Sequence, residues 1–410
     1  MYNSNEILNY IDDEGTVKLL QKMIQHRSYS GEEEELAKFL AEYMKNMGLD
    51  VTLQEVKPKR FNVIGTYKGS GGGESLMYNG HIDTNPVGLD WTVDPFEGKV
   101  DNEFIYGIGV SNMKASDAAF ISAVKSIINS KAEIKGDIII GLVIGELEGG
   151  IGTLHLLDSG IKSDWFINGE PTDNSLLTLH AGAFEVEIDV FGKSRHLSKA
   201  EEGINAIEKA TLVVENLKKI KFSNATNKRY KELNRLNIGT IRGGLGDEYY
   251  EWRIPQVPDK CTLKVALRYA PSQTKDSIVN DIQKMLENIS SKDNEFSFKL
   301  KIVGEGTKPS MGPFEIDEDE LIVQVVKGAH EIVTGSEPLV GDIKPYKYYG
   351  TDAAHLMDHG MKGIVYGCGG KYNTMPDEKV ELKDLKTTTR VYSLAIQEVC
   401  SQAINDINKK

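Results

Sequence analysis

The chain has 410 residues, 40% hydrophobic and 27% charged, which is enough apolar material for real cores and excludes a largely disordered chain. Its formal net charge of −13 has the wrong sign for a nucleic-acid binder or a protein of anionic membranes. The length suggests two domains.

Cys261, Cys368 and Cys400 are odd in number and far apart, so no disulfide framework or zinc-finger spacing is present and a reducing compartment suits them. The opening MYNSNEILNYIDDEG carries acids where a signal peptide needs basic residues followed by an apolar run. The longest apolar run, Ile138–Ile144, is too short to span a bilayer. A cytoplasmic protein with no membrane and no nucleic-acid partner is expected.

In chain order, Ser30–Met47 places Leu36, Phe39, Leu40, Tyr43, Met44 and Met47 at the 3/4 spacing of an amphipathic helix. Ser30 with Glu33 reads as a capping box and Gly48 as the stop. Strands are expected at Val51–Val56, Asn62–Tyr67 and Leu76–Asn79, then a helix over Ala115–Asn129. Ile138–Ile144 lacks alternation, the mark of a strand buried on both faces, and Trp165–Asn168 and Gly363–Tyr366 resemble it. Alternating buried strands and helices predict an α/β sheet, whose ligands sit beyond the carboxyl ends of the strands.

The pattern changes between 184 and 303. Strands at Glu185–Phe191, Asn237–Ile241, Cys261–Arg268 and Phe296–Val303 interleave with helices at Ala206–Leu217 and Asp276–Ile289. That β-α-β-β-α-β order is the composition of a small ferredoxin-like α+β module. The expected domains are therefore 1–183, an inserted module at 184–303, and a continuation of the first domain over 304–410.

Four segments carry candidate chemistry. His81 and Asp83, two apart at a strand end, read either as a metal-ligating imidazole with an orienting acid or as an ordinary polar strand end. The glycine-punctuated loop from Gly107 to Lys114 lacks the spacing of a phosphate-binding turn. Glu146, ahead of Leu147, Glu148, Gly149 and Gly150, ends the apolar strand. It is a candidate general base, since burial raises a carboxyl pKa, or a solvated acid before a turn. Pro171 biases Glu170 toward an extended backbone, which would hold that carboxylate in one place.

Taken together, with Trp91 to Phe96 between them, these segments resemble the acetylornithine deacetylase, succinyl-diaminopimelate desuccinylase and glutamate carboxypeptidase family of co-catalytic zinc amidohydrolases. Further matches are Gly192 to His196, Gly203 to Ile207, Gly243-Gly244, Val257 to Asp259, Arg268 with Pro271, Gly350 to Ala353, and Pro376 to Glu378. The resemblance implies a mixed-sheet zinc-peptidase-like catalytic domain with the inserted module as a lid and dimerisation domain. It places first-metal ligands at His81 and Glu170, an orienting acid at Asp83 and the general base at Glu146. It also makes His196 an oxyanion and substrate contact and Arg268 a fork for a substrate carboxylate.

Departures from the family pattern fall together. Its bridging Asp is replaced by Asn112, its second-metal Glu by Leu147, and its late His by Thr374. An amide is at best a weak oxygen ligand, and an alkyl group is none. The second ion loses every anchoring position, so at most one zinc or cobalt ion per chain is expected, on His81, Glu170 and weakly Asn112, or none. Rebuilding of the turn to present Glu148 in place of Leu147 is one alternative. Substitution of Thr374 by His355 or His359 is another, but their spacing reads as a surface helix. The expected function is hydrolysis of the amide of a small N-acyl amino acid or short peptide by a homodimer. The alternative is a metal-poor, non-hydrolytic relative that binds an amino-acid derivative.

Overall fold

The computed structural model describes residues 6–402, in two compact units. One takes the chain up to Leu179, Phe314–Lys347 and the stretch from Thr351 onward. The other takes His180–Pro313 and Tyr348–Gly350. The second unit thus interrupts the first in sequence.

The first unit is built on an eight-stranded mixed sheet. Its order is Asp50–Lys57, Arg60–Tyr67, Ile138–Val143, Leu76–His81, Trp165–Asn168, Lys362–Val365, Leu176–Leu177 and Val340–Gly341. Leu76–His81 runs parallel to both neighbours, and Lys362–Val365 runs parallel to Trp165–Asn168. Every residue of Leu76–His81 and Ile138–Val143 is buried, which is why neither alternates in sequence. The helices Ala115–Ser130 and Leu321–Thr334 both pack against Leu382–Ser401.

Ser30 and Glu33 do not form the expected capping box. The helix Glu34–Asn46 begins without a side-chain cap. The buried Glu33 carboxylate instead takes the Arg60 guanidinium in a fork at 2.9 and 2.5 Å, because a buried guanidinium demands a counter-charge more strongly than a helix end demands a cap. Ser30 Oγ donates to Asp83 Oδ2 at 2.9 Å. Gly48, at φ +92°, ends this helix as expected.

The second unit carries a four-stranded antiparallel sheet in the order Arg235–Gly244, Lys260–Tyr269, Gly182–Phe191, Ser297–Ile302. The helices Ala206–Leu217 and Lys275–Ser290 cover it. Ala210, Val213, Ile278 and Ile282 on those helices meet Val186, Ile188 and Val265 of the sheet in one apolar core. Both helices start on side-chain caps, Asn205 accepting from Ile207 N and Glu208 N, and Thr274 sharing a capping box with Ser277. The connectivity is the expected β-α-β-β-α-β, elaborated by the short helix Lys228–Leu233.

Candidate active site

Parallel strands deliver their carboxyl ends to one edge of the sheet, and the candidate residues leave from that edge. His81 is the last residue of Leu76–His81 and pairs in register with Val143. Glu146 opens the short turn Glu146–Glu148 just beyond that neighbour strand. Glu170 follows Trp165–Asn168, whose Asn168 lies in register with Asn79. One ligand atom each from His81, Glu146 and Glu170 lies within 4.8 Å of the others.

His81 Nδ1 is 2.9 Å from the main-chain oxygen of Asp83. A carbonyl only accepts, so Nδ1 carries the proton and Nε2 faces the site. There Nε2 meets Asn112 Oδ1 at 3.1 Å and Glu170 Oε1 at 3.5 Å. Three acceptors facing one another repel unless a proton or a cation sits among them. Burial alone would lower the His81 pKa, but Glu170, Asp83 and Glu146 hold it up, to about 10. Burial drives Glu146 well above the usual carboxylate range, with the Glu170 charge adding to it. Burial likewise raises Glu170 to about 7, against the pull of His81. Asp352 is raised too, chiefly by burial, and its Oδ1 is buried with no hydrogen-bond partner. This excess of buried carboxyl over imidazole is an environment that a divalent cation relieves, and a nitrogen with carboxylate oxygens suits zinc.

Asp83 departs from its expected part. Its Oδ1 stands 3.7 Å from His81 Nδ1, so the main-chain carbonyl orients the imidazole and the carboxylate does not. The carboxylate instead accepts from Glu146 N at 3.2 Å, Leu147 N at 3.3 Å and Ser30 Oγ at 2.9 Å. It fixes the turn that presents Glu146. Glycine is required within that turn: Gly150 sits at φ +79°, and a Cβ there would run into Asp352 Oδ1 and the His355 ring.

Asn112, Leu147 and Thr374 line a cavity of about 190 Å³ together with His81, Asp83, Trp91 and Glu378. The three altered positions therefore face the same space as the retained imidazole. Glu148 is not among the residues lining it; Oε1 lies 2.5 Å from Arg60 and Oε2 lies 2.7 Å from Lys57. His355 is on the expected helix, Ala353–Asp358, but is not a surface residue. It is buried, with Nε2 2.9 Å from Gly149 O. His359 Nδ1 lies 2.8 Å from His355 O. The His355 bond to Gly149 O braces the turn that carries Glu146.

Glu378 has no role in the sequence reading beyond its place in the Pro376–Glu378 match. Its carboxylate accepts from Gly109 N, Ser111 N and Asn112 N. Burial raises its pKa to about 7 despite those three bonds.

His196 and Arg268 belong to the second unit. His196 is exposed, caps the turn Leu197–Glu202 and accepts from Ser198 N. Arg268 donates from Nε to Tyr348 O at 2.8 Å, and the guanidinium of its register partner Arg235 lies 3.3 Å over the Tyr348 ring.

An α/β scaffold that gathers an imidazole and buried carboxylates at the carboxyl edge of parallel strands is that of a metallopeptidase-like hydrolase. Residues 77–398 match the model of peptidase family M20/M25/M40, and the chain belongs to that family. An N-formyl-4-amino-5-aminomethyl-2-methylpyrimidine deformylase from Bacillus subtilis is 26% identical over 401 residues, 90% of each chain. An acetylornithine deacetylase from Buchnera aphidicola is 26% identical, covering 89% of this chain and 91% of its own. Among solved structures, the aminopeptidase PepT of Bacillus cereus superposes with a TM-score of 0.76 at 19% identity, over 95% of this chain and 99% of its own. A peptidase of the same family from Bacillus subtilis, described as binding a dinuclear metal, superposes with a TM-score of 0.67 at 15% identity, over 94% and 98%. None of the described helices is long and apolar enough to cross a membrane.

Proposed function

We propose that the protein is an amidohydrolase acting on the amide bond of a small N-acyl compound, an N-acyl amino acid or short peptide. The observation that supports this best is the convergence of His81, Glu146 and Glu170 within 4.8 Å at the sheet edge. His81 Nε2 and Glu170, with Asn112 Oδ1 as a weak third donor, would hold one zinc or cobalt ion. No second ion is accommodated, because the cavity presents Leu147 and Thr374 where the family pattern needs a carboxylate and an imidazole.

A bound ion supplies Lewis-acid activation of the acyl group and of water. Glu146, whose pKa burial raises well above the usual carboxylate range, takes the proton of the attacking water and passes it to the leaving amine. The Asp83 carboxylate keeps Glu146 in place through its main-chain N–H. His196 and Arg268 keep the parts given by family resemblance, support of the developing oxyanion and a planar fork for a substrate carboxylate. A homodimer formed through the second unit belongs to the same reading. So does a cytoplasmic setting, supported by three buried, unpaired cysteines.

The test is metal analysis of untagged protein, together with hydrolysis of N-formyl, N-acetyl and dipeptide substrates with zinc or cobalt added. The expected result is no more than one ion per chain, with turnover lost on chelation and in His81→Ala. No turnover under any metal, with ligand binding that persists under chelator, would replace this reading by that of a non-hydrolytic binder.

A further inference from the structure

Asp377, Glu378 and Lys379 are consecutive, and each contacts a different segment. Asp377 Oδ1 accepts from Thr92 N at 2.8 Å and Val93 N at 3.1 Å, and Oδ2 accepts from Thr92 Oγ1 at 2.6 Å. Lys379 Nζ lies 4.3 Å over the Phe104 ring and 4.7 Å over that of Tyr372. Between them, Glu378 Oε1 accepts from Ser111 N at 2.8 Å and Asn112 N at 3.1 Å, and Oε2 accepts from Gly109 N at 3.2 Å.

The segment that Glu378 grips is tied within itself on either side of Asn112, Val110 N donating to Gly107 O at 3.2 Å and Lys114 N to Gly109 O at 3.0 Å. Asn112 and Met113 have non-helical dihedrals, φ −122° and −139°, so no helical ladder fixes the Asn112 side chain. Gly109 stands at φ +71°, and a Cβ there would strike Thr84. Yet Asn112 Oδ1 sits 3.1 Å from His81 Nε2. A carboxylate that is 2% exposed and shared among three main-chain donors is a strong, directional restraint, and it reaches the Asn112 main chain from a distant part of the sequence.

We propose that Glu378 is a positioning residue, whose carboxylate clamps the main chain from Gly109 to Asn112 and so sets Asn112 Oδ1 against His81 Nε2. The inference deepens the one-ion reading, because that contact is where the proposed ion binds, but the contact itself can be read without metal.

The experiment compares wild type with Glu378→Gln, Asn112→Ala, their double variant and Asp377→Asn. Two readouts are used: the imidazole nitrogen signals of the metal-free protein by long-range proton–nitrogen NMR, and cobalt affinity by titration. Glu378→Gln keeps the shape but turns one acceptor into a donor facing main-chain N–H groups. It is expected to move the His81 signals while the other seven histidines stay in place, and to weaken cobalt binding by about 10- to 100-fold. On the Asn112→Ala background the same change should do little more, since both act through one contact. Asp377→Asn anchors a different loop and should leave His81 unmoved. Unchanged His81 signals in Glu378→Gln would overturn the proposal. So would full additivity with Asn112→Ala, or an equal effect from Asp377→Asn. If wild type binds no cobalt, the one-ion reading fails, and the NMR comparison still decides the part played by Glu378.

Discussion

Glu148 Oε1 stands 2.5 Å from the Arg60 guanidinium, whose other edge is forked onto Glu33. The carboxylate next to Leu147 is thus committed to an ion pair and does not take the place of the carboxylate that the family pattern expects at Leu147. Glu148→Gln should leave metal content and turnover unchanged. It should lower stability by no more than about 1 kcal/mol, because the Glu148 side chain is 30% exposed and screened. Glu33→Ala removes the buried partner of the guanidinium and leaves it only the partly exposed Glu148, and should cost about 3 kcal/mol. Urea unfolding beside metal analysis separates the two outcomes.

Restoring the anchors should restore the ion. In Asn112→Asp combined with Leu147→Glu and Thr374→His, all three new side chains face the cavity that His81 lines. Zinc measured by mass spectrometry should rise toward two per chain. Stoichiometry that stays at one or below would show that the cavity wall is closed to a second ion by shape as well as by chemistry.

Glu146→Gln removes the proposed base and keeps its volume. Hydrolysis should fall by about 100-fold or more, with cobalt binding retained. Loss of the ion in this variant would make Glu146 a ligand instead.

Stability should depend on His180. Burial lowers its pKa from 6.5 to about 4, with an opposing main-chain hydrogen bond at Ala181 and a further lowering from Arg268. Between those values the unfolded chain binds a proton that the folded chain refuses, so stability rises with pH across this window. The contribution is complete above pH 6.5 and is lost as pH falls toward 4, by on the order of 3 kcal/mol. His180→Asn should flatten that part of the profile of unfolding free energy against pH.

The sheet, the inserted module and the converging strand ends were legible because each leaves a local trace: unbroken apolar runs, a change of period, a polar residue where a run stops. Pairings across long separations leave none. Ser30-x-x-Glu33 satisfies the capping pattern, and only the fold shows that Arg60, from another element, claims Glu33. Glu378 is 266 residues from the Asn112 main chain that it grips. His355 looks like a surface helix residue until the bare turn at Gly149 and Gly150 lets its ring pack beneath. Asp83 was recognisable as an acid beside His81, but its division of labour, main-chain oxygen to one partner and carboxylate to another, is a matter of geometry alone.

His81 terminates a strand buried along its whole length, whereas Asn112, Leu147 and Thr374 all hang on connections beyond the sheet edge. The positions that depart from the family pattern therefore lie outside the part of the chain that supports the scaffold. Stripping out the metal should leave a folded, isolable protein, and the scaffold can outlast the chemistry it was shaped around.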